Sequence, residues 1–568
     1  LSSMYNLPPL GLINLATALK DTPHQVRVVD LVLAIRQGTL KMSRNIYGDC
    51  ADIILAHDPD IIGFSAQCTT YPAILQISKQ IKDRKPAAQI VLGGHNASFL
   101  DTETLDTFPS VDVIISGEGE VTFKEWVTAC DEMRQPTGIP GITWRQGRHI
   151  IRNEPRELIS NLDSLPFPDY SLLPPFSAYR DACELPRSIA ILEVGRGCPH
   201  RCIYCSESLM WRRKTRTFSE NRLVAEMKTL HDRFGAECFL LAYDQFTAHR
   251  SFVEAFCRLV IQKGLNHIPW YCISRLDSVD APLLQLMREA GCESMCYGID
   301  SGSRKTLSFI RKQINPDILY ERVVETANQG IIPTLSFVVG FPEEEREDID
   351  QTLTLALRAG IVGNNNPLIQ MPTVLPGTDL HTRYGNVLVR VVDTYFALGL
   401  EFDEGRRLQT DENMINAHPF FFSSFYNLPC RGVPLQELGA IASYFPYMVR
   451  LYPRSFLILS IEYALSVSAL FSDWMEWLKQ HKKEESMEFT PRDIYAHFNP
   501  FVTDLMEKMG PPKRRHFSDL LRYETVAISV AEHPMQHNPL HLNLKEPRTL
   551  KPVKNGKLES KHLTLIYR

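Results

Sequence analysis

Short apolar runs alternate with amphipathic ones through the first two thirds of the chain, and this alternation predicts strands separated by helices. Residues 26–31, 60–65, 89–92 and 111–116 read as strands, and 11–20, 71–84, 102–107 and 122–132 as helices. Three of these strands end in small or polar residues, at Ser65, at Gly93-Gly94-His95 and at Gly117-Glu118-Gly119-Glu120. Such strands predict a parallel sheet with its ligand beyond the strands' carboxyl ends. Residues 141–152 read as a hairpin turning at Gln146-Gly147, and 153–190 as a connector dense in proline and aromatic residues. A second series follows, with apolar runs at 189–194, 238–243, 270–273, 295–299, 334–339 and 367–371, and helices at 220–231, 281–290 and 316–329. Ser219 stands as the cap of the first of these helices, and Gly330 closes the last. Polar residues gathered after successive strands predict a barrel or partial barrel with its site at that face. Beyond residue 386 the pattern is mostly helical, over 434–451, 455–484 and 491–508. Aromatic stretches at 395–402 and 418–429 precede these helices, and a last hairpin is expected over 553–567 around Asn555-Gly556.

At 568 residues the chain is longer than one hydrophobic core usually serves. We therefore expect domains at 1–150, 186–385 and 386–568, with a linker at 151–185. Hydrophobic content of 44% and charged content of 22% are those of an ordinary soluble protein, and a net charge of −5 gives no reason to expect a nucleic acid or an anionic membrane as partner. No apolar stretch reaches the roughly 18 residues of a membrane span; residues 456–471 are interrupted by Ser460, Glu462, Ser466 and Ser468 and read as a buried helix. Thirteen cysteines are scattered without the density of a disulfide scaffold, so a reducing cytosol is expected.

Three of those cysteines change the picture. Cys198, Cys202 and Cys205 are spaced C-x3-C-x2-C on one loop after the run 189–194. Three thiolates so close can hold one metal centre, and no neighbouring cysteine supplies the fourth ligand of a closed zinc site. A four-iron cluster on three cysteines leaves one iron open to a substrate. The competing reading is a structural zinc loop completed by His200 or a distant histidine.

With aromatic Tyr204 before the last cysteine, this spacing resembles the signature of the radical S-adenosylmethionine (SAM) superfamily. The resemblance implies that Cys198, Cys202 and Cys205 bind a [4Fe-4S] cluster whose open iron chelates SAM. It extends over most of 186–385 and implies a radical SAM partial (β/α)6 barrel. It places Asp244 near the SAM amino group, Arg275 at the next strand end, and Gly298-Ile299-Asp300-Ser301-Gly302 where the family has Gly-x-Glu-Ser-Gly against the ribose and carboxylate. The aspartate at 300 is one methylene shorter. Gly340-Phe341-Pro342 resembles the stretch near adenine, and Leu375-Pro376-Gly377-Thr378 the late Pro-Gly-Thr. For Asp244 and Arg275 the plain alternative is a strand-end cap or a surface ion pair. The first 150 residues resemble the Rossmann-like cobalamin-binding domain fused to one class of these enzymes. The residues that carry this are Pro8-Pro9-Leu10-Gly11-Leu12, Asp30, Asp60 to Ser65, Gly93-Gly94-His95 and Gly117 to Glu120. By resemblance Pro9, Gly11, Ser65, Gly93, Gly94, His95, Gly117, Glu118, Gly119 and Glu120 line the cobalamin. That domain ordinarily opens with a strand ending in Asn-Pro-Pro, which is expected to precede Leu1. No D-x-H-x-x-G motif is found, and His95 occupies an ordinary turn position, so the cobalt is expected to lack a histidine ligand.

Cobalamin and SAM together imply methyl transfer from SAM through methylcobalamin to carbon, by a radical or a nucleophilic route, with an external one-electron reductant and a small-molecule substrate. The length and helical carboxyl-terminal region resemble the layout of the tryptophan C2-methyltransferases of thiopeptide biosynthesis, which implies an indole acceptor, tryptophan, and an aromatic-lined pocket. Aromatic density at 395–402 and 418–429 suits a helical core, and also suits a lid or floor over the barrel's open face. No catalytic residue is singled out. Two alternatives stand: a cobalamin-dependent radical cyclase or ring-rearranging enzyme, and a cobalamin-binding sensor or zinc scaffold without catalysis.

Overall fold

The computed structural model describes residues 7–363, 365–394, 407–482, 489–514 and 516–532. The aromatic stretch 395–402 and the hairpin expected over 553–567 lie outside them. In the first sheet β1 (Ile61–Ser65), β2 (Gln89–Gly93) and β3 (Val113–Ile115) run parallel in that order. The expected hairpin, β4 (Ile142–Gln146) and β5 (His149–Arg152), extends the same sheet antiparallel from β3. Alternate side chains serve opposite cores. Ile90 and Leu92 join Ile62 and Ile114 on one face, while Val91 joins Val113, Trp126 and Trp144 on the other, so both faces are buried as a Rossmann-like layer requires.

The strand expected over 26–31 is absent. The chain reaches Asp30 without a ladder partner among the described strands, and the Asp30 carboxylate then accepts from Leu33 N at 2.9 Å and caps a helix, Leu31–Arg36. A cap at the end of a β-branched run has overridden its strand propensity, which depends on pairing. The helix Ile46–Leu55, which the sequence reading did not assign, buries Tyr47, Cys50, Ala51 and Ile54 against the helix Tyr71–Arg84.

The second sheet holds β6 (Ile189–Glu193), β9 (Cys238–Ala242), β10 (Trp270–Ser274), β11 (Cys292–Asp300), β12 (Ile332–Val338) and β13 (Asn366–Gln370), parallel and in chain order. A short clip, β7 (Gly195–Arg196) with β8 (Arg216–Thr217), stands apart from it. This is the open six-stranded half barrel expected. The helix Leu435–Leu451 packs along its edge strand β13, covering hydrogen-bonding groups an edge would otherwise expose. The following helices stack on Arg346–Ile361 and share one continuous core with the barrel.

The helix expected over 455–484 is two, Pro453–Glu462 and Val467–His481, bent by 109° at a break where Ala464 has φ 53° and Ser466 caps the second. No single helix among the described residues is long and apolar enough to cross a membrane. The carboxyl-terminal region serves two neighbours, because Ile415, Phe421, Phe422 and Phe425 return to the core of the first domain. Tyr47 there donates to Asp411 at 2.6 Å. The connector is tied to both domains near its middle: Asp169 N donates to Thr17 Oγ1 at 2.9 Å, and the Tyr170 hydroxyl to Ile191 O at 2.8 Å.

The Pro-Gly-Thr turn joins barrel to first domain. Gly377 has φ 81°, and a Cβ there would lie 2.4 Å from Phe99 Cδ1. Gly377→Ala is therefore expected to cost about 1–3 kcal/mol through backbone strain and overpacking. Urea denaturation of the two proteins checks this; equal midpoints would contradict it.

Candidate functional site

The site is built on the loop between β7 and β8. Gly197 has φ 102°, and a Cβ would fall 2.0 Å from Lys214 O, so a side chain cannot be accommodated. Its N–H donates to Asp244 Oδ2 at 2.9 Å, which fixes the approach to Cys198. The Cys198 thiol faces Gln245 Oε1 at 4.0 Å. Ile203 is buried and held from both sides, its N–H donating to Ile310 O at 3.1 Å and its carbonyl accepting from Leu380 N at 2.9 Å. Cys202 and Cys205 thus flank a fixed residue. Burial raises all three thiol pKa values, that of Cys205 to about 12. Without a cation the thiols hold their protons, and binding a cationic centre displaces them. Among the described residues no three His, Cys, Asp or Glu side chains converge on a single ion. Cys202 adds to the upward shift of both Cys198 and Cys205.

Around this loop stand the residues assigned to SAM. Asp244, at the end of β9, is buried, which pushes its carboxyl up to about 6, with Glu207 adding to the shift. Asp300 has φ 64° and accepts from the Tyr204 hydroxyl and from Lys312 Nζ, the latter at 2.7 Å. Arg275 is paired with Asp277 at 2.9 and 2.7 Å and donates to Gln313 O at 3.1 Å; at 7% exposure this is a buried pair, not the surface ion pair that was its plain alternative. Ser301 is fully buried, its hydroxyl meeting Thr352 Oγ1 at 2.9 Å and Ser303 N at 3.1 Å, so it supports the loop rather than facing an open space. At Gly340 a Cβ would meet Leu438 Cδ1 at 2.8 Å, which makes it the point where the helix Leu435–Leu451 crosses the barrel mouth. Glu344 accepts from Gly340 N at 2.6 Å and Phe341 N at 2.9 Å and shapes that turn.

The residues assigned to cobalamin gather beyond the carboxyl ends of β1, β2 and β3, with Pro9 and Gly11 opening the neighbouring helix Leu10–Ala18, and this edge faces the cysteine loop. Open space surrounds the position of a Cβ at Gly117 and at Gly11, as a cradle for a bulky group requires. At Gly93 a Cβ would make an ordinary contact. At Gly94 it would meet Ala66 O at 3.0 Å, and at Gly119 Leu15 Cδ2 at 2.9 Å, so these two glycines fit the protein to itself. Glu118 and Glu120 turn their carboxylates to Arg196, which is 4% exposed. Arg196 donates to Glu118 at 2.8 Å, Glu120 at 2.6 Å and Glu193 at 2.7 Å. Arg216 adds a bond to Glu118 at 2.9 Å, and Asn14 one to Glu193 at 3.1 Å. A second link joins His95 Nε2 to Glu207 Oε2 at 2.8 Å, two residues past Cys205. Burial alone would lower the His95 pKa, but Glu207 more than offsets it and the value is raised. Sequence reasoning missed Arg196, Glu207, Lys312 and Glu344. Arg196 and Glu207 flank the cysteine motif and so carried a signal in their position; Lys312 and Glu344 carried none.

Behind this clamp Glu226 lines a small cavity with Asn14, Glu193 and Arg222. It is 7% exposed, and burial pushes its carboxyl up to about 7. The folded chain therefore holds a proton there that the unfolded chain has lost above about pH 4.5. Stability is full below that pH and falls as pH rises toward 7. Glu226→Gln is expected to gain up to about 3 kcal/mol over the parent at pH 8 and almost nothing near pH 4. Urea titrations at both pH values check it, and a gain independent of pH would contradict it.

The aromatic stretch 418–429 is core. Phe421 lies 5.3 Å from Phe108 and Phe422 6.2 Å from Tyr71, inside the first domain. The lid or floor expected of it is corrected, since burying these rings in that core removes them from the barrel face. Phe420, half exposed beside His381 at 5.1 Å, is the exception.

Two family models match the chain, the radical SAM superfamily over residues 192–356 and the B12 binding domain over residues 1–127. An uncharacterized methyltransferase of Pyrococcus horikoshii is 30% identical over 374 residues, which are 66% of this chain and 77% of that protein. The anaerobic magnesium-protoporphyrin IX monomethyl ester cyclase of Synechocystis sp. is 28% identical over 361 residues, 61% of this chain and 67% of the relative. In fold the chain is similar to the radical SAM methyltransferase TsrM of Kitasatospora setae, solved with tryptophan and a SAM analogue. The TM-score is 0.58 at 17% identity, covering 78% of this chain and 87% of that one.

Proposed function

This chain belongs to the radical SAM superfamily, in the branch that carries an amino-terminal B12 binding domain, and we propose that it is a methyltransferase moving a methyl group from SAM, by way of cobalamin, to a carbon of a small molecule. When bound, the cluster would anchor SAM and the cobalamin would carry its methyl group. The observation that supports this reading is the joining of two loops: the Gly117 to Glu120 turn of the B12 domain and the cysteine loop meet through Arg196, and the Gly94 turn meets it through His95 and Glu207. Loops so tied would hold the residues assigned to the two cofactors in a fixed relation to one another.

The chain's own groups have definite parts in this reading. Cys198, Cys202 and Cys205 hold the cluster. Asp244, with one oxygen held by Gly197 N, would have the other available for the SAM ammonium group. Tyr204, Asp300 and Lys312 form a buried set that positions the ribose side. Arg275 holds the loop at Gln313 in register with the cysteines. The helix Leu435–Leu451 over β13 and the contact of Gly377 with Phe99 are the elements that would shield the mouth from water, which protects reactive species.

Tryptophan C2 is the acceptor to test first, because the fold is shared with an enzyme solved with tryptophan bound. Identity with the protoporphyrin ester cyclase favours ring formation as the second reading. Anaerobic incubation with methyl-labelled SAM, cobalamin, a one-electron reductant and an acceptor panel including tryptophan, read by mass spectrometry, separates them. Label in the product supports methyl transfer; deoxyadenosine formed with an unlabelled, rearranged product supports the cyclase.

A further inference from the structure

We propose that Glu226 is a pH-operated latch on the connector between the first domain and the barrel: protonated, it leaves Arg222 on the connector's carbonyls, and ionised, it draws that guanidinium away and loosens residues 163–168. The two side chains stand one turn apart on the helix Glu220–Phe234. Arg222 reaches from that helix to the connector and holds it at three carbonyls. Its Nη1 donates to Asp163 O at 3.1 Å and to Leu165 O, and its Nη2 to Pro166 O at 3.0 Å. The guanidinium also lies over two rings, 4.7 Å from the centroid of Phe167 in the connector and 4.7 Å from that of Phe218 beside β8. Phe167 is 52% exposed, so its ring has few other neighbours to hold it.

Both side chains have hydrogen-bonding capacity that the fold does not use. Arg222 Nε is buried without a hydrogen-bond partner, and Arg222 makes no ion pair among the described residues. Glu226, 7% exposed, makes no hydrogen bond among the described residues, and it lines the same small cavity as Arg222. While it carries its proton it needs no counter-charge, and Arg222 stays with neutral acceptors. Once the proton has gone to solvent, a buried carboxylate remains, and it requires a cation. The charged groups around it decide which one. Glu193 on β6 repels it and Glu120 of the first domain lines the same cavity, but both of these are already matched by Arg196. Tyr170 feels its charge, yet donates its hydroxyl to Ile191 O. Asp163 acts on Arg222 from the connector, with one oxygen held by Ser219 N at 2.9 Å. Arg222 is thus the cation left to Glu226, and its charge already opposes the upward shift of that carboxyl. A pair made through Nε–H and one Nη–H presents a different edge of the planar fork, which cannot keep the same three carbonyls. The connector then slackens just ahead of its ties at Asp169 and Tyr170. Because burial has moved the Glu226 carboxyl up to about 7, the change falls between pH 6 and pH 8.

Hydrogen exchange of the intact chain, read by mass spectrometry at pH 6 and pH 8 and corrected for intrinsic base catalysis, tests this. The amides of Ser164 and Leu165, which donate to Asn161 O and Leu162 O, are the reporters. In the parent, peptides covering 161–168 are expected to lose protection at least about fivefold between pH 6 and pH 8, as a local opening does. Glu226→Gln, which cannot ionise, should keep the pH 6 protection at both values, and Arg222→Gln should show the low protection at both. Peptides of β6 should not change. A parent equally protected at both pH values, a Glu226→Gln protein that loosens as the parent does, or a fall in β6 as large as that in the connector would each overturn the latch. Neither cofactor enters the measurement, so its outcome is independent of the methyltransferase reading.

Discussion

Replacing Cys202 by alanine is expected to empty the cluster site and abolish methyl transfer while leaving the fold intact. Its neighbour Ile203 is fixed by main-chain bonds to Ile310 and Leu380, so the loop keeps its path when the thiol is lost. Removing a half-buried thiol costs at most about 1 kcal/mol in a chain this size. On the proposed reading one of three ligands is lost, and Cys238, the next cysteine in the chain, is buried within β9 and cannot stand in. Iron analysis after anaerobic reconstitution, with thermal unfolding of the same sample, checks both halves. Full iron content in the variant would remove Cys202 from the ligand set.

Arg196→Met is expected to produce the largest loss of stability of any single change at the domain junction, about 3–5 kcal/mol. One guanidinium serves Glu118, Glu120 and Glu193, all within 2.8 Å, with almost no exposure to solvent. Without it Glu118 keeps Arg216, but Glu120, buried, and Glu193, half-buried with only Asn14 beside it, are left with little compensation. Arg196→Lys should recover part of the loss only, because a point charge cannot match three carboxylates at once. Adding Glu120→Gln to Arg196→Met should recover more, since it removes one of the stranded charges. Chemical denaturation of the four proteins measures this. A double variant as unstable as Arg196→Met would show that packing, rather than charge, holds the junction.

The two sheets were legible wherever an apolar run had parallel neighbours on both sides: β2, β9, β10 and β12 fall where the pattern put them to within a few residues. The pattern failed where pairing or packing decided. Residues 26–31 have the right composition for a strand but no ladder partner among the described residues, and Asp30 caps the helix that follows. The helix Ile46–Leu55 was readable in principle, since Tyr47, Cys50, Ala51 and Ile54 recur at helical spacing. The bend at Ala464 could not be read, because a single residue at positive φ leaves no trace in hydropathy. In the candidate site, the cysteines and Asp244 stood out in the sequence because the chemistry proposed for them requires those residue types close together on one loop and past one strand. Lys312 did not, because a buried cation shows itself only when its carboxylate, Asp300, is brought to it by the fold, and Arg196 signalled itself only by its place beside the cysteines. The glycines were legible as a set and misread singly: Gly117 faces open space, whereas Gly119 makes room for Leu15.

The central claim is that the B12 domain and the cysteine loop pass a methyl group between them, and the transfer can be followed without knowing the acceptor. Holoenzyme carrying reduced cobalamin is mixed anaerobically with methyl-labelled SAM, and the cobalamin is then extracted and its mass determined. The account predicts label on the cobalamin, formed in parent enzyme and lost in Arg196→Met protein that still binds both cofactors. Cobalamin that stays unlabelled while SAM is consumed would contradict it.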